Sequence, residues 1–234
     1  MAAGCLPSRP DRSADRLALR YRLTMELLVD GRPVRGATVR QFKRTEDPKW
    51  FPSDGAGQTS WQGEATPVPI GDGAWLFAML EGYVTVNGER QRSYGPWTPY
   101  HAVLGRIDKR VTSTQADYDA LSPDQKERFV SPAQARALLG SAPVALELNE
   151  LPILVAFRTP AIPGSGVVIL PEQAPEAFPG VAWGHCTVQA TDDPVGFGQV
   201  EAALPWITQP ARAVRTTWTG ESFNLNSSAF RRDW

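Results

Sequence analysis

From Tyr21 to Val29 apolar and polar residues alternate. Tyr21, Leu23, Met25, Leu27 and Val29 share one face of a period-two strand, and Arg22, Thr24 and Glu26 share the other. This predicts a half-buried strand, and the Asp30-Gly31 that follows predicts a tight hairpin, because both residues tolerate the positive φ of a type I′ turn. The return strand, Pro33 to Lys43, sets Val34, Gly36, Thr38 and Arg40 against Arg35, Ala37, Val39 and Gln41. Its apolar face is the weaker one, so one side is expected to meet solvent or a neighbouring loop. A second hairpin is predicted from Trp61 to Leu80, turning at Gly71-Asp72-Gly73. Its second arm, Ala74 to Leu80, is apolar on both faces and so reads as a central strand.

Arg44 to Ser60 reads as a surface loop, and Tyr83 to Val86 as a short strand before a second type I′ signal at Asn87-Gly88. From Thr112 to Gly140 the pattern turns helical. Thr114, Ser122 and Ser131 have capping-box spacing, Pro123 and Pro132 stand at first helical positions, and Gly140 stands at a C-terminus. Val144 to Leu148, Leu151 to Arg158 and Val181 to Thr191 read as strands, the last broken by Gly184. Pro160 to Pro179 reads as loop around an apolar run at Val167 to Leu170. Asp193-Pro194 is expected to open a helix that places Phe197, Val200 and Leu204 on one face. The tail offers Trp218, Phe223, Leu225, Phe230 and Trp234 to wrap onto a sheet. Together these elements predict an α+β fold: a mainly antiparallel β-sheet domain with short peripheral helices. Residues 19–234 are expected to form that one domain, with a helical excursion near 112–140, and residues 1–18 a flexible tether.

The 234 residues, with 42% hydrophobic and 21% charged content, describe an ordinary globular chain, and no apolar run has transmembrane length. The formal charge of -1 gives no field for nucleic acid. Two cysteines, Cys5 and Cys186, offer neither a disulfide framework nor a zinc motif. Cys5 closes the run Ala2-Ala3-Gly4-Cys5, which resembles the lipobox before the lipidated cysteine of bacterial lipoproteins. The apolar core of a signal peptide does not precede it, so this reading expects a start upstream of Met1. Leu6 to Leu17, rich in Pro, Ser, Arg and Asp, has the composition of a tether.

Candidate chemistry is sparse. His101 and His185 are the only histidines, and His185 and Cys186, adjacent in a strand, must face opposite ways. A Cys186 and His101 pair would have to form across the fold. A metal held by His185 with Asp192 or Asp193 is weaker than the simple role of Asp193 as a helix cap. Gly164-Ser165-Gly166 is not a nucleophile elbow, and Gly196-Phe197-Gly198 lacks the third glycine of a dinucleotide loop. Glu147 and Glu150 read as a solvated face. No cofactor and no metal is expected. The remaining feature is aromatic: Tyr94, Trp97, Tyr100 and His101 lie in a Pro/Gly-rich stretch, where the rings either stack on a protein or glycan partner or staple the loop to the core. Burial of Trp97 would remove the main support for the first reading.

Several segments follow one another in a familiar order: Tyr21 to Glu26 leading to Gly31, Gly36 to Arg40, Gly63 to Ala65, Trp75 to Leu80, Leu151 to Arg158, Thr191 to Val195, and Leu204 to Trp206. In this order they resemble a family of uncharacterised alphaproteobacterial proteins, many of which look like exported lipoproteins. The resemblance spans about residues 20 to 206. It implies a single β-rich domain tethered in the envelope, with no family activity to carry over. The expected function is a non-catalytic envelope lipoprotein, a binding or structural module that meets the membrane only through a lipid anchor at Cys5. The alternatives are a cytosolic protein-interaction domain and an envelope hydrolase that uses His101 or His185 with a carboxylate. The hydrolase reading needs the histidine in a cleft within hydrogen-bond reach of an acid.

Overall fold

The computed structural model describes residues 18–44, 59–86, 89–99, 103–107, 122, 132–208, 214–218, 221–225 and 227–232. Strands β1 (Ala18–Val29) and β2 (Arg32–Arg44) form the expected hairpin, in unbroken register from Ala18 opposite Lys43 to Val29 opposite Arg32. Asp30 at φ 50° and Gly31 at φ 74° make the turn. Leu19, Tyr21, Leu23, Met25 and Leu27 are buried, as the alternation requires.

The predicted strand from Trp61 to Ile70 is in fact two strands in two sheets. Strand β3 (Thr59–Glu64) pairs with β2 only from Gln41 to Arg44, and β4 (Thr66–Pro69) belongs to the second sheet. The chain swings away at Gly63, whose φ of 141° suits glycine alone. Ala65 N–H then finds the Phe230 carbonyl at 2.6 Å. The new strand passes so close under β2 that a Cβ on Gly36 would stand 2.0 Å from the Pro67 carbonyl oxygen.

Strands β5 (Trp75–Ala78), β6 (Glu81–Val86) and β7 (Glu89–Pro96) follow, with β6 and β7 flanking the predicted turn at Asn87-Gly88, which lies outside the described residues. Of the helical excursion the described residues hold the helix Pro132–Leu139, which begins on Pro132 and ends at Gly140 with φ 62°. The expected strand Val144 to Leu148 shrinks to β8 (Val144–Ala145), and a 3-10 turn takes Leu148–Glu150. Strands β9 (Leu154–Phe157), β10 (Gly166–Ile169) and β11 (Val181–Ala190) complete the sheets, so the apolar run Val167 to Leu170 is largely strand. Gly184 is the extra residue of a β-bulge, between Trp183 opposite Leu27 and His185 opposite Glu26. The helix expected to open at Asp193 covers only Gln199–Ala203. Gly198, at φ 110°, holds the residues before it out of helical geometry. The tail forms the hairpin of β12 (Val214–Trp218) and β13 (Glu221–Leu225), the helix Ser227–Phe230 and β14 (Arg231–Arg232).

A six-stranded sheet runs in the order β14, β3, β2, β1, β11, β8, and a four-stranded sheet in the order β10, β9, β5, β4. Every described strand pairing is antiparallel, and the fold is α+β dominated by sheet. The central strands of the four-stranded sheet, β5 and β9, are buried on both faces. Leu76, Ala78, Leu154 and Ala156 join Leu23, Met25 and Val188 of the larger sheet in one core. Phe77, Met79, Val155 and Phe157 join Val200, Leu204, Trp206 and Phe230 in another. This is why Ala74 to Leu80 is apolar on both faces.

Candidate functional site

Of the aromatic cluster read from the sequence, Tyr94 lies in β7, while Tyr100 and His101 lie outside the described residues, as does Cys5. Trp97 is 6% exposed. Its indole N–H donates to the Glu150 carbonyl at 2.8 Å, and its own carbonyl accepts the Tyr21 hydroxyl at 3.1 Å. Its ring sits 5.8 Å from that of Tyr21. Trp97 is therefore a staple of the core, as the second reading of the cluster holds, and its ring is not offered to a partner.

His185 and Cys186 face opposite ways, as the strand period requires. Cys186 is fully buried, and burial pushes its thiol up to about 12, so it is neither a thiolate nor within the reach of His185. His185 lies on the outer face of the larger sheet with its side chain 48% exposed, and its Nδ1 is 3.3 Å from Glu26 Oε1. The other carboxylate oxygen of Glu26 accepts Arg35 Nε. Arg35, Glu26 and His185 thus form one cross-strand row, placed by the hairpin register on one side and the Gly184 bulge on the other. The next row along β1 brings Thr24 beside Ala37 and Thr187. The hydrolase reading asks for a histidine held by an acid, and this row supplies that half of the geometry.

Asp192 pairs with Arg136 and Asp193 with Arg22, so neither carboxylate turns to His185. Asp193 is not a helix cap either. It accepts the Thr191 hydroxyl at 2.7 Å, five residues before the helix begins its own capping at Gly198. Among the described residues no group of three potential metal ligands occurs.

The strongest electrostatic features are buried, and sequence reasoning did not expect their burial. Arg40 is 2% exposed, and donates to the carbonyls of Met79 at 2.9 Å and Ala78 at 2.7 Å and to Thr66 Oγ1 at 3.2 Å. Its Nε has no partner among the described residues. Burial lowers the pKa of the guanidinium, against the pull of Tyr21 and Cys186 beside it. Glu64, fully buried, accepts the backbone N–H groups of Gly198, Gln199 and Val200 at 3.0, 3.1 and 3.3 Å. Burial raises its pKa, and those three donors oppose the rise. Glu150, read as solvated, is buried and clamped by Arg106 through Nε at 2.8 Å and Nη2 at 3.1 Å. The signal for Arg40 was present in the register, which sets it opposite Tyr21 on the inner face; the signals for Glu64 and Glu150 depend on contacts more than 40 residues away in the chain.

At one pole of the sandwich three turns converge. Asp30 N–H donates to the Gly180 carbonyl at 2.8 Å, and Gly71 lies against Val29. Between the Gly71-Asp72-Gly73 turn and the Phe178-Pro179 segment lies a shallow depression of about 140 Å³, with Arg158 on its rim. No protein-family model, no curated protein and no solved structure matches this chain.

Proposed function

We propose that this chain is a non-catalytic binding or structural module of the bacterial cell envelope, carried on the membrane by a lipid at Cys5. The observation that carries the non-catalytic part is how the described reactive groups are used. The Cys186 thiol is buried and protonated, Glu64 caps a helix, Glu150 is clamped by Arg106, and Arg40 ties the end of β5. Each holds strands and turns in place. The address rests on the Ala2-Ala3-Gly4-Cys5 run and the tether-like composition after it. Metabolic labelling with an alkyne fatty acid in the native host tests it. The native chain takes the label and Cys5→Ser does not; equal labelling of neither chain favours a cytosolic interaction domain.

A second reading, a hydrolase of envelope material, is favoured by one geometry. Glu26 holds Nδ1 of His185, which leaves Nε2 as the nitrogen for proton transfer. Loss of a hydrolytic activity on cell-wall fragments in His185→Ala, with the fold intact, would establish it.

A further inference from the structure

Strand β2 is paired with β1 from Arg32 to Lys43, but β3 accompanies its other side only from Gln41 to Arg44. After Gly63 the chain passes to β4 in the second sheet, so the stretch of β2 from Pro33 to Ala37 has no strand on that side. Strand parity fixes which groups face the open side. Arg32 closes the hairpin opposite Val29, so the even-numbered residues bond β1, and Pro33, Arg35 and Ala37 turn their backbone groups outward. The Ala37 carbonyl shows this parity, because it accepts the side-chain amide of Gln199 at 3.1 Å. All three residues are exposed. Among the described residues no partner meets the Arg35 N–H, the Arg35 carbonyl, the Ala37 N–H or the Pro33 carbonyl. Donors and acceptors in this alternation have the spacing of another extended backbone. Pro33, which has no N–H, limits the run at one end, and Gln199 limits it at the other.

We propose that the open side of β2 from Pro33 to Ala37 docks an extended peptide segment of a partner protein, running antiparallel to β2 in the line that β3 leaves, with an acidic residue opposite Arg35. The acidic residue follows from the Arg35 side chain, which is 67% exposed on the outer face. Glu26 holds only its Nε, so the Nη groups of the fork remain for a second carboxylate. A second copy of this chain fits less well. Antiparallel pairing of two β2 strands about Arg35 sets Arg35 opposite Arg35, and like charges directly opposite are destabilising. The register that avoids this, Arg35 opposite Ala37, needs the Ala37 carbonyl that Gln199 already occupies. The proposal deepens the binding-module reading and rests on it, and is independent of the lipid at Cys5.

The test is an amide NMR titration of the whole chain with three probes: acetyl-Thr-Val-Glu-Val-Thr-amide, the same peptide with lysine for glutamate, and the same peptide with its glutamate N-methylated. The first is expected to give saturable shifts at residues 33–37 and to slow hydrogen exchange at Arg35 and Ala37, whose amides face the open side. The lysine peptide should bind about threefold more weakly. The N-methylated peptide keeps the carboxylate, loses the backbone donor to the Arg35 carbonyl and should give no saturable shift. In the protein, Ala37→Pro removes an outward N–H without breaking a bond to β1, and should abolish binding with the spectrum of the fold retained. The proposal is overturned if the first peptide gives no saturable shift, if the lysine or N-methylated peptide binds as well as the first, or if folded Ala37→Pro binds as the native chain does. It is also overturned if shifts at residues 33–37 depend on protein concentration with no peptide present, which would make a second copy the occupant. A chain that carries no lipid yet binds the first peptide leaves this edge standing and removes only the envelope address. A lipidated chain that ignores the peptide overturns the edge and leaves the address standing.

Discussion

Arg40 and Tyr21 are direct cross-strand partners in the first hairpin, and both side chains are buried between the two sheets. The guanidinium reaches past its own sheet to the Ala78 carbonyl at the end of β5, to the Met79 carbonyl just after it, and to the Thr66 hydroxyl, which is itself 2.6 Å from that of Thr38. One side chain therefore satisfies backbone acceptors just where the second sheet ends its ladder. Arg40→Ala leaves those acceptors without a donor and opens a cavity. It is expected to destabilise the fold by about 3–5 kcal/mol in urea denaturation, with Arg40→Met less damaging because it fills the space.

Tyr21 and the buried Cys186 together make stability depend on alkaline pH. Burial pushes the Tyr21 phenol from 10.0 up to about 12, and the Cys186 thiol from 9.0 up to about 12. Both folded-state values lie above the unfolded ones. Their contribution is therefore full below pH 9 and is lost as pH rises between about 9 and 12, because the unfolded chain releases these protons first. Urea midpoints are expected to fall through that window, and the fall should be smaller in Cys186→Ala and in Tyr21→Phe.

Glu64 gathers three N–H groups at the start of the helix Gln199–Ala203, which has no side-chain cap of its own on Gly198. Glu64→Ala leaves these donors without their acceptor, and of the three residues Val200 is buried while Gly198 and Gln199 can turn to water. The expected loss is about 1–3 kcal/mol, with hydrogen exchange at Gly198, Gln199 and Val200 rising by more than the global change.

At Gly36 the backbones of the two sheets approach each other, and Gly36→Ala would set a methyl group 2.0 Å from the Pro67 oxygen. The chain must separate β2 from β4 to accept it. A loss of about 3 kcal/mol or more is expected, far above that of Ala at an exposed strand position.

Much of the fold is legible along the chain because it is local. The first hairpin, its turn at Asp30-Gly31, the doubly buried β5 and the stop at Gly140 all follow from period and turn chemistry within a dozen residues. What is not legible depends on distant partners. The strand from Trp61 breaks at Glu64 because β14 and Phe230, more than 160 residues away, take the backbone there. The helix at Asp193 shortens because Asp193 finds Arg22, and its start moves to the acceptor supplied by Glu64. At the candidate sites, the opposed faces of His185 and Cys186 follow from the strand period. The row of Arg35, Glu26 and His185 requires the pairing of three strands, and the place of Arg158 requires the meeting of two turns. Trp97 carries no local sign of which of its two roles it takes; the carbonyl of Glu150 decides it.

Anchoring of the proposed envelope module at Cys5 is decided by the intact mass and N-terminal peptide of the protein purified from its native host. A lipid-anchored chain is expected to begin, when mature, at a Cys5 that bears a diacylglyceryl group. An unmodified chain that begins at Met1 or Ala2 would contradict it, make the Ala2-Ala3-Gly4-Cys5 run a coincidence, and put the cytosolic interaction domain first.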